Sequence, residues 1–262
     1  MEKMIQFVLP AAGAGSRFLN VGIKTPKPLI PILGIPMICW VLANLNIQKC
    51  DTVYILKQSS HDYNFVLDYW LKKFKSQIQF INVDNLTDGP AITASLASSL
   101  LSLNERLVIA NSDQFVSQGM SEFNTLVRKS NDSNHIMTMD AESNKWSYVK
   151  RNSEGFIREV KEKEEISNEA TVGIYSWCRA ELFFESLSQM IAANDRVNNE
   201  YYVAPTYNYL INQNLSVEGY NVGKIGETIF GLGTPEDLAK FEGNNSIEKF
   251  RENVYSFLST IN

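Results

Sequence analysis

The sequence is poor in the residues that usually carry chemistry on their own. Its three cysteines, Cys39, Cys50 and Cys178, are odd in number and lack CxxC spacing, which excludes a disulfide framework and a zinc site and leaves them as core or near-surface thiols. The two histidines, His61 and His135, lie far from every motif described below; they are expected at surface or helix-start positions and take no part in catalysis. No apolar run is long enough for a membrane span. The opening MEKMIQFVLP stays apolar for only a few residues before Pro10 and Gly13, too short for a signal-peptide core, so no membrane partner and a cytoplasmic location are expected. There is no low-complexity tract, linker or internal repeat. Positive charge is not in excess either. With 24 Lys and Arg against 29 Asp and Glu the net charge is −5, which argues against extended nucleic-acid binding, because that needs a basic face.

One further absence is local. Between Lys3 and Lys49 there is no Asp or Glu, while Arg17, Lys24 and Lys27 fall close together. A cationic loop inside an acidic protein reads as a site for a small, highly charged anion. The composition, 44% hydrophobic and 20% charged over 262 residues, is that of a soluble globular chain able to bury a substantial core.

Short apolar runs at 5–9, 52–56, 78–83 and 107–110 read as strands. They alternate with helical patterns at 37–46, 63–74 and 91–101, which predicts an α/β, Rossmann-like, mostly parallel sheet flanked by helices. After residue 130 strand candidates at 135–139, 147–150, 156–161 and 171–177 follow one another with few helices, predicting a smaller mixed or antiparallel section. Helices return at 180–193, 204–212 and 235–241. The tail residues Ile247, Phe250, Val254, Phe257, Leu258 and Ile261 keep helical spacing, a stripe that serves internal packing or a dimer interface; the sequence leaves a homo-oligomer open.

The central motif is Leu9-Pro-Ala-Ala-Gly13-Ala-Gly15-Ser16-Arg17-Phe18, followed by Lys24-Thr-Pro26-Lys27-Pro28-Leu29. Small residues after a strand let backbone N–H groups approach phosphate oxygens, and glycine permits the positive φ of an anion-binding nest. Phe18 stands where a dinucleotide fingerprint needs its third glycine, and no Gly-Lys-Ser/Thr of a P-loop occurs. Taken alone, the glycines also fit an ordinary turn. The GxGxR and Pro-Lys-Pro elements together resemble the sugar-phosphate nucleotidyltransferase family, of glycosyltransferase-A-type fold. The resemblance continues in order through Asp88-Gly89-Pro90-Ala91, Asn111-Ser112-Asp113-Gln114, Glu162-Lys163, Thr171–Tyr175, Asn199–Tyr202 and Gly231–Leu238.

That resemblance implies transfer of a nucleoside monophosphate from an NTP to a sugar phosphate or similar small phosphate, with pyrophosphate released and Mg²⁺ as cofactor. It also implies a product destined for surface glycans. Residues 1–262 would form one domain, with 1–130 holding the nucleotide and 131–262 the acceptor and the C-terminal helices. Leu9, Ala11, Ala12, Gly13, Gly15, Ser16 and Arg17 would hold the NTP phosphates, with Arg17 and Lys27 bracing pyrophosphate and the reacting group. Asp113 would bind Mg²⁺, Gly89 would admit the base close to backbone, and Glu162, Lys163, Gly173 and Glu200 would face the acceptor. Each residue has a plainer reading beside this one. Asp113 fits an Asx-turn, and Lys163 lies in a mixed charge run typical of a solvated face. Trp146, Tyr148, Tyr201 and Tyr202 stack on a sugar or simply fill the second lobe.

Two departures from the family pattern bear on function. Gly231 stands where a second metal-binding Asp is common, leaving a single carboxylate or a substitute such as Glu200 or Glu227. Asp84 stands where a base-reading glutamine is common. An ionised Asp only accepts hydrogen bonds, which suits the amino group of cytosine, or the paired donors of guanine, better than the uracil edge and favours CTP; the alternative is that Asp84 faces solvent and backbone alone reads the base. Two other functions share these features: a glycosyltransferase using a nucleotide-sugar, and a nucleotide-binding protein without activity.

Overall fold

Alternate residues of the first apolar run enter two separate cores. Ile5, Phe7 and Leu9 join one cluster and Val8 the other, and all four are at most 1% exposed. A strand buried on both faces must carry a continuous apolar run and must be covered by helices on either side. Val53, Ile55, Val108 and Ala110 fall in the first cluster, and Leu56, Leu107 and Ile109 in the second, so neighbouring strands repeat the alternation.

The computed structural model describes residues 3–259. The chain runs β1 (Ile5–Pro10), α1 (Ser16–Leu19), β2 (Pro31–Ile32), β3 (Ile35–Pro36), α2 (Met37–Asn44), β4 (Thr52–Gln58), β5 (Ile78–Val83), α3 (Pro90–Ser95), β6 (Arg106–Ala110), β7 (Gln114–Val116) and α4 (Met120–Lys129). It continues through β8 (Asn134–Asp140), β9 (Ser147–Arg151), β10 (Ile157–Glu162), β11 (Glu169–Trp177), α5 (Ala180–Ala192), α6 (Tyr207–Asn212), β12 (Val217–Lys224), β13 (Ile229–Gly231), α7 (Pro235–Glu242) and α8 (Ile247–Ser259).

The strands β5, β4, β1 and β6 pair in that order and all in parallel. Antiparallel β11 adds to β6, β8 to β11, and β12 runs parallel to β8 at the far edge. The β9–β10 hairpin joins through the single pair Ala170↔Tyr148. This is the expected α/β fold, with a mostly parallel centre and a mixed second half. The path from β1 leads to β4 on one side, while β6 lies on the other. The carboxyl ends of β1 and β6 therefore flank the point where strand order reverses, which is where open α/β sheets form a crevice for ligands.

Met37, Ile38, Cys39, Trp40, Val41 and Leu42 of α2 are each at most 2% exposed, so this helix is wrapped on all sides. Trp40 donates from its ring N–H to Ile32 O at 3.2 Å and meets Phe115 and Phe241 edge-on at 5.7 and 5.3 Å. The tail stripe packs within the chain: Ile247, Val254 and Leu258 are buried, and Phe250 and Phe257 lie against the same core. Ile261 falls outside the described residues.

Three expectations are corrected. The helix expected over 63–74 is irregular, with a π turn at Val66–Trp70 and a 3-10 turn at Lys72–Phe74. Tyr63, Val66, Leu71 and Phe74 are the residues buried there, and the spacings of five and three from Val66 onward need one widened turn and one tightened one. The helix expected over 91–101 is α3 followed by a 3-10 turn at Ser98–Leu100. His135 is not at the surface. It sits in β8 at 1% exposure, with both ring nitrogens lacking a hydrogen-bond partner among the described residues.

Candidate active site

Beyond β1 the chain enters the small-residue loop, which is pinned from the β4 side. The Ala11 N–H donates to Leu56 O at 2.8 Å, and the Gln58 side-chain amide donates to Ala12 O at 3.0 Å and Gly13 O at 3.2 Å. Gly13 faces open space, with no atom within 4 Å of where a side chain would begin. Gly15 has φ 63, a left-handed conformation that glycine adopts without penalty, and its carbonyl accepts from the Phe18 and Leu19 N–H groups to start α1. Phe18 is buried at 1% exposure while Arg17 beside it stays exposed. Burial of the ring thus fixes which way the guanidinium is carried.

Lys27 lies in a 3-10 turn between two prolines, and its ammonium pairs with the Asp113 carboxylate. Asp113 follows β6, with its carbonyl accepting from the Leu232 N–H at 2.8 Å. A side chain at Gly233 would begin 2.7 Å from Asp113 Oδ2 and 3.6 Å from Lys27 Nζ, so the ion pair fills the space that a larger residue needs. At Gly231 a side chain would begin 3.5 Å from the Asp237 carboxylate. That acid is already engaged at the start of α7, where Asp237 Oδ2 accepts from the Thr234 hydroxyl at 2.8 Å and the Asp237 N–H donates to the same hydroxyl at 3.1 Å. Of the two substitutes named from the sequence, Glu200 lines the cleft, whereas Glu227 lies in the β12–β13 turn, outside its lining.

Two adjoining cavities open beside these groups. The larger, about 460 Å³, is lined by the expected Ala11, Gly13, Gly15, Ser16, Arg17, Lys27, Asp113, Glu162, Lys163, Gly173 and Glu200. The smaller, about 220 Å³, is lined by Ala12, Gly13, Gly89 and Glu200, and also by Thr87 and Thr93. Leu9 and Asp84 line neither. The Leu9 side chain is in the core at 0% exposure, and Asp84, exposed just beyond β5, accepts from the Ser59 hydroxyl.

On the far wall of the larger cavity Lys163 has φ 57, and its N–H donates to Trp146 O at 2.9 Å. Its ammonium donates to the Tyr202 hydroxyl at 2.6 Å and lies 4.5 Å from the centre of that ring. Glu162 accepts from the Ser147 hydroxyl. Burial pushes its pKa up, and the Ser147 hydrogen bond and nearby Lys163 pull the other way. Gly173, at φ 88 where β11 shifts register, leaves room for Asn111 and Gln114. Gly89, at φ 117, lies against the Tyr201 backbone: the Tyr201 N–H donates to Asp88 O at 2.7 Å and the Ala91 N–H to Tyr201 O at 3.0 Å. The open side of this glycine is therefore taken by the chain itself.

Sequence reasoning missed Thr87, Thr93, Lys145 and Ser147. Thr87 and Thr93 share a hydrogen bond at 2.6 Å in the smaller cavity, and Lys145 and Ser147 line the larger. The available signal was position: Thr87 is two residues before Gly89 and Thr93 one helical turn after it.

The sequence profile of the Nucleotidyl transferase family matches residues 7–210. No curated protein sequence matches the chain. Among solved structures, a nucleoside-diphosphate-sugar pyrophosphorylase from Vibrio cholerae RC9 is similar at TM-score 0.72 and 19% identity, covering 91% of this chain and 100% of that one. An inositol-1-phosphate CTP transferase from T. maritima is similar at TM-score 0.74 and 12% identity, covering 99% and 100%. A UDP-glucose pyrophosphorylase complexed with UDP-glucose gives TM-score 0.71 and 20% identity, covering 98% and 100%. At these identities the structures establish the fold, and the family match spans well over half of the sequence. The chain belongs to the Nucleotidyl transferase family and is a nucleotidyltransferase.

Proposed function

We propose that the protein transfers a nucleoside monophosphate from an NTP to a small phosphorylated acceptor, a sugar phosphate or a close equivalent, and releases pyrophosphate. The observation that carries this reading is that Arg17, Lys27 and Lys163 line one cleft together with Asp113, giving two polyanions a shared cationic wall. A phosphate acceptor is already ionised at neutral pH, so its attack on the α-phosphorus needs no general base; the two histidines stay outside the cleft lining. Catalysis consists of holding the reactants in line and neutralising charge as the bond to pyrophosphate breaks. Arg17 and Lys27 act on the triphosphate, Lys163 on the acceptor phosphate, and Glu162 accepts from an acceptor hydroxyl.

Mg²⁺ fits these residues in one particular way. Among the described residues no group of three or more His, Cys, Asp or Glu is arranged to hold an ion, whereas Mg²⁺ commonly takes one or two carboxylates and completes its shell with phosphate oxygens and water. Asp113 is therefore the residue that would hold an ion shared with the triphosphate, where it supplies charge neutralisation. The case for CTP rested on Asp84. Because Asp84 does not line the smaller cavity, the choice of base passes to the backbone there and to Thr87 and Thr93.

Thermal stabilisation by CTP, UTP, GTP, ATP and dTTP, each with and without Mg²⁺, tests the reading without knowledge of the acceptor, since a ligand of the folded state raises apparent stability. A selective shift that Mg²⁺ enhances supports it. A shift with nucleotide-sugars and none with any NTP moves the assignment to a glycosyltransferase of the same fold.

A further inference from the structure

Four residues line both cavities: Pro10, Gly13, Pro90 and Glu200. On the reading just proposed, the base occupies the smaller cavity and the phosphates the larger. The unit joining base to phosphate must then cross the boundary formed by these four. That unit is the ribose. Glu200 is the one ionisable side chain of the four, and an anion beside a triphosphate repels it while accepting readily from neutral hydroxyls.

The backbone around Glu200 is built to hold it there. Asn198 and Asn199, at φ 52 and 64, fit the central positions of a type I′ turn, in which asparagine is favoured. The turn is closed by the Val197 N–H donating to Glu200 O at 3.1 Å and the Glu200 N–H to Val197 O at 3.0 Å. The next residue, Tyr201, is clamped to Asp88 and Ala91 on the Gly89 loop. The Tyr202 hydroxyl, which accepts from Lys163, is close enough to feel the Glu200 carboxylate: burial first, and then Glu200, raise the pKa of Tyr202.

We propose that Glu200 accepts hydrogen bonds from the vicinal 2′- and 3′-hydroxyls of the bound NTP and so selects ribonucleotides over deoxyribonucleotides. The inference rests on the proposed nucleotidyltransferase reading of the two cavities and moves Glu200 from the acceptor to the nucleotide. A site built to hydrogen-bond a hydroxyl rejects the analogue lacking it, because the site's own polar group is left unpaired. Glu200 is exposed, so water partly replaces a missing hydroxyl and the preference is about tenfold, equivalent to about 1.4 kcal/mol.

The test is calorimetric binding of CTP, UTP, GTP and ATP to the full chain with Mg²⁺, each against its 2′-deoxy and 3′-deoxy counterpart, for the native protein and for Glu200→Ala and Glu200→Gln. The native protein prefers the ribonucleotide about tenfold. Glu200→Ala abolishes the preference by weakening ribonucleotides alone, and Glu200→Gln, which keeps an acceptor oxygen without the charge, lies between. Equal binding of ribo- and deoxynucleotides by the native protein overturns the inference while leaving the proposed function standing. So does a preference that survives in Glu200→Ala, or an alanine variant whose KM rises for the phosphorylated acceptor alone. Failure of every NTP to bind overturns both.

Discussion

Replacing Gly89 with alanine probes the close contact between the loop beside the smaller cavity and the Tyr201 backbone. Gly89 has φ 117 and ψ 171, a region essentially closed to residues with a Cβ, at a cost of about 1–3 kcal/mol. The added carbon would lie 2.6 Å from both Tyr201 N and Tyr201 O and 3.1 Å from Glu200 Cβ. Those backbone atoms cannot step aside freely, because both are hydrogen-bonded to the Gly89 loop itself. Overpacking of this kind adds about 1–3 kcal/mol. The sum, about 2–6 kcal/mol, lowers Tm by roughly 4–24 °C at about 2–4 °C per kcal/mol for a chain of this size. Gly13→Ala is the matched control: no atom lies within 4 Å of its Cβ position, and a substitution of this type stays within about 0.5 kcal/mol. Thermal unfolding of both variants without ligand decides the matter. Equal Tm values for Gly89→Ala and Gly13→Ala would refute the close-approach argument.

Three other perturbations have defined outcomes. Lys27 and Asp113 are part-exposed, so Lys27→Ala should change stability by no more than about 1 kcal/mol yet lower kcat by about 10²–10³; a folded variant with full turnover contradicts the role given to Lys27. Asp51, at 0% side-chain exposure, takes two bonds from Arg128 at 2.9 and 2.6 Å and accepts the Ile5 and Gln48 N–H groups. Asp51→Ala should cost about 3–5 kcal/mol in urea denaturation, and a loss under 1 kcal/mol would show the pair to be dispensable. His135 has its pKa lowered from 6.5, by burial above all and by Arg106, against the opposing pull of Glu218. The fold keeps it neutral while the unfolded chain protonates, so its contribution is complete above pH 6.5 and lost as pH falls below. Urea midpoints for the native protein should drop on going from pH 7.5 to 5.5 more steeply than those of His135→Phe, and parallel profiles would contradict this.

The strands of the central sheet were legible because burial on both faces forces an unbroken apolar run, as in Ile5–Pro10 and Arg106–Ala110. What escaped notice depends on partners far away in sequence. β7 and β13 have three residues each and pair Phe115 with Phe230, and β12 finds β8 in parallel across some eighty residues, as in Val217↔Asn134. α4 was missed although Met120, Phe123 and Val127 give it a buried stripe. At the site, the glycine loop and its place beside the cleft were readable because glycine geometry and local charge are properties of adjacent residues. The second wall was harder. Ser147 reaches Glu162, and Lys163 reaches Tyr202, only because the β9–β10 hairpin and the 197–202 segment fold over the same crevice. Asp84 shows the limit of spacing: it is near Gly89 in sequence, while the end of β5 places its carboxylate beside Ser59 and outside the lining of both cavities.

The central claim is tested most directly by following the α-phosphate. The protein is incubated with each α-³²P-labelled NTP, Mg²⁺ and a panel of sugar phosphates and alcohol phosphates, and the label is resolved by chromatography. The account predicts that with one acceptor the label moves into a phosphatase-resistant product, with pyrophosphate released in equal amount and both events slowed by about 10²–10³ in Lys27→Ala. Label that remains in every NTP, while the same protein consumes a nucleotide-sugar and releases its nucleoside diphosphate, would contradict the account.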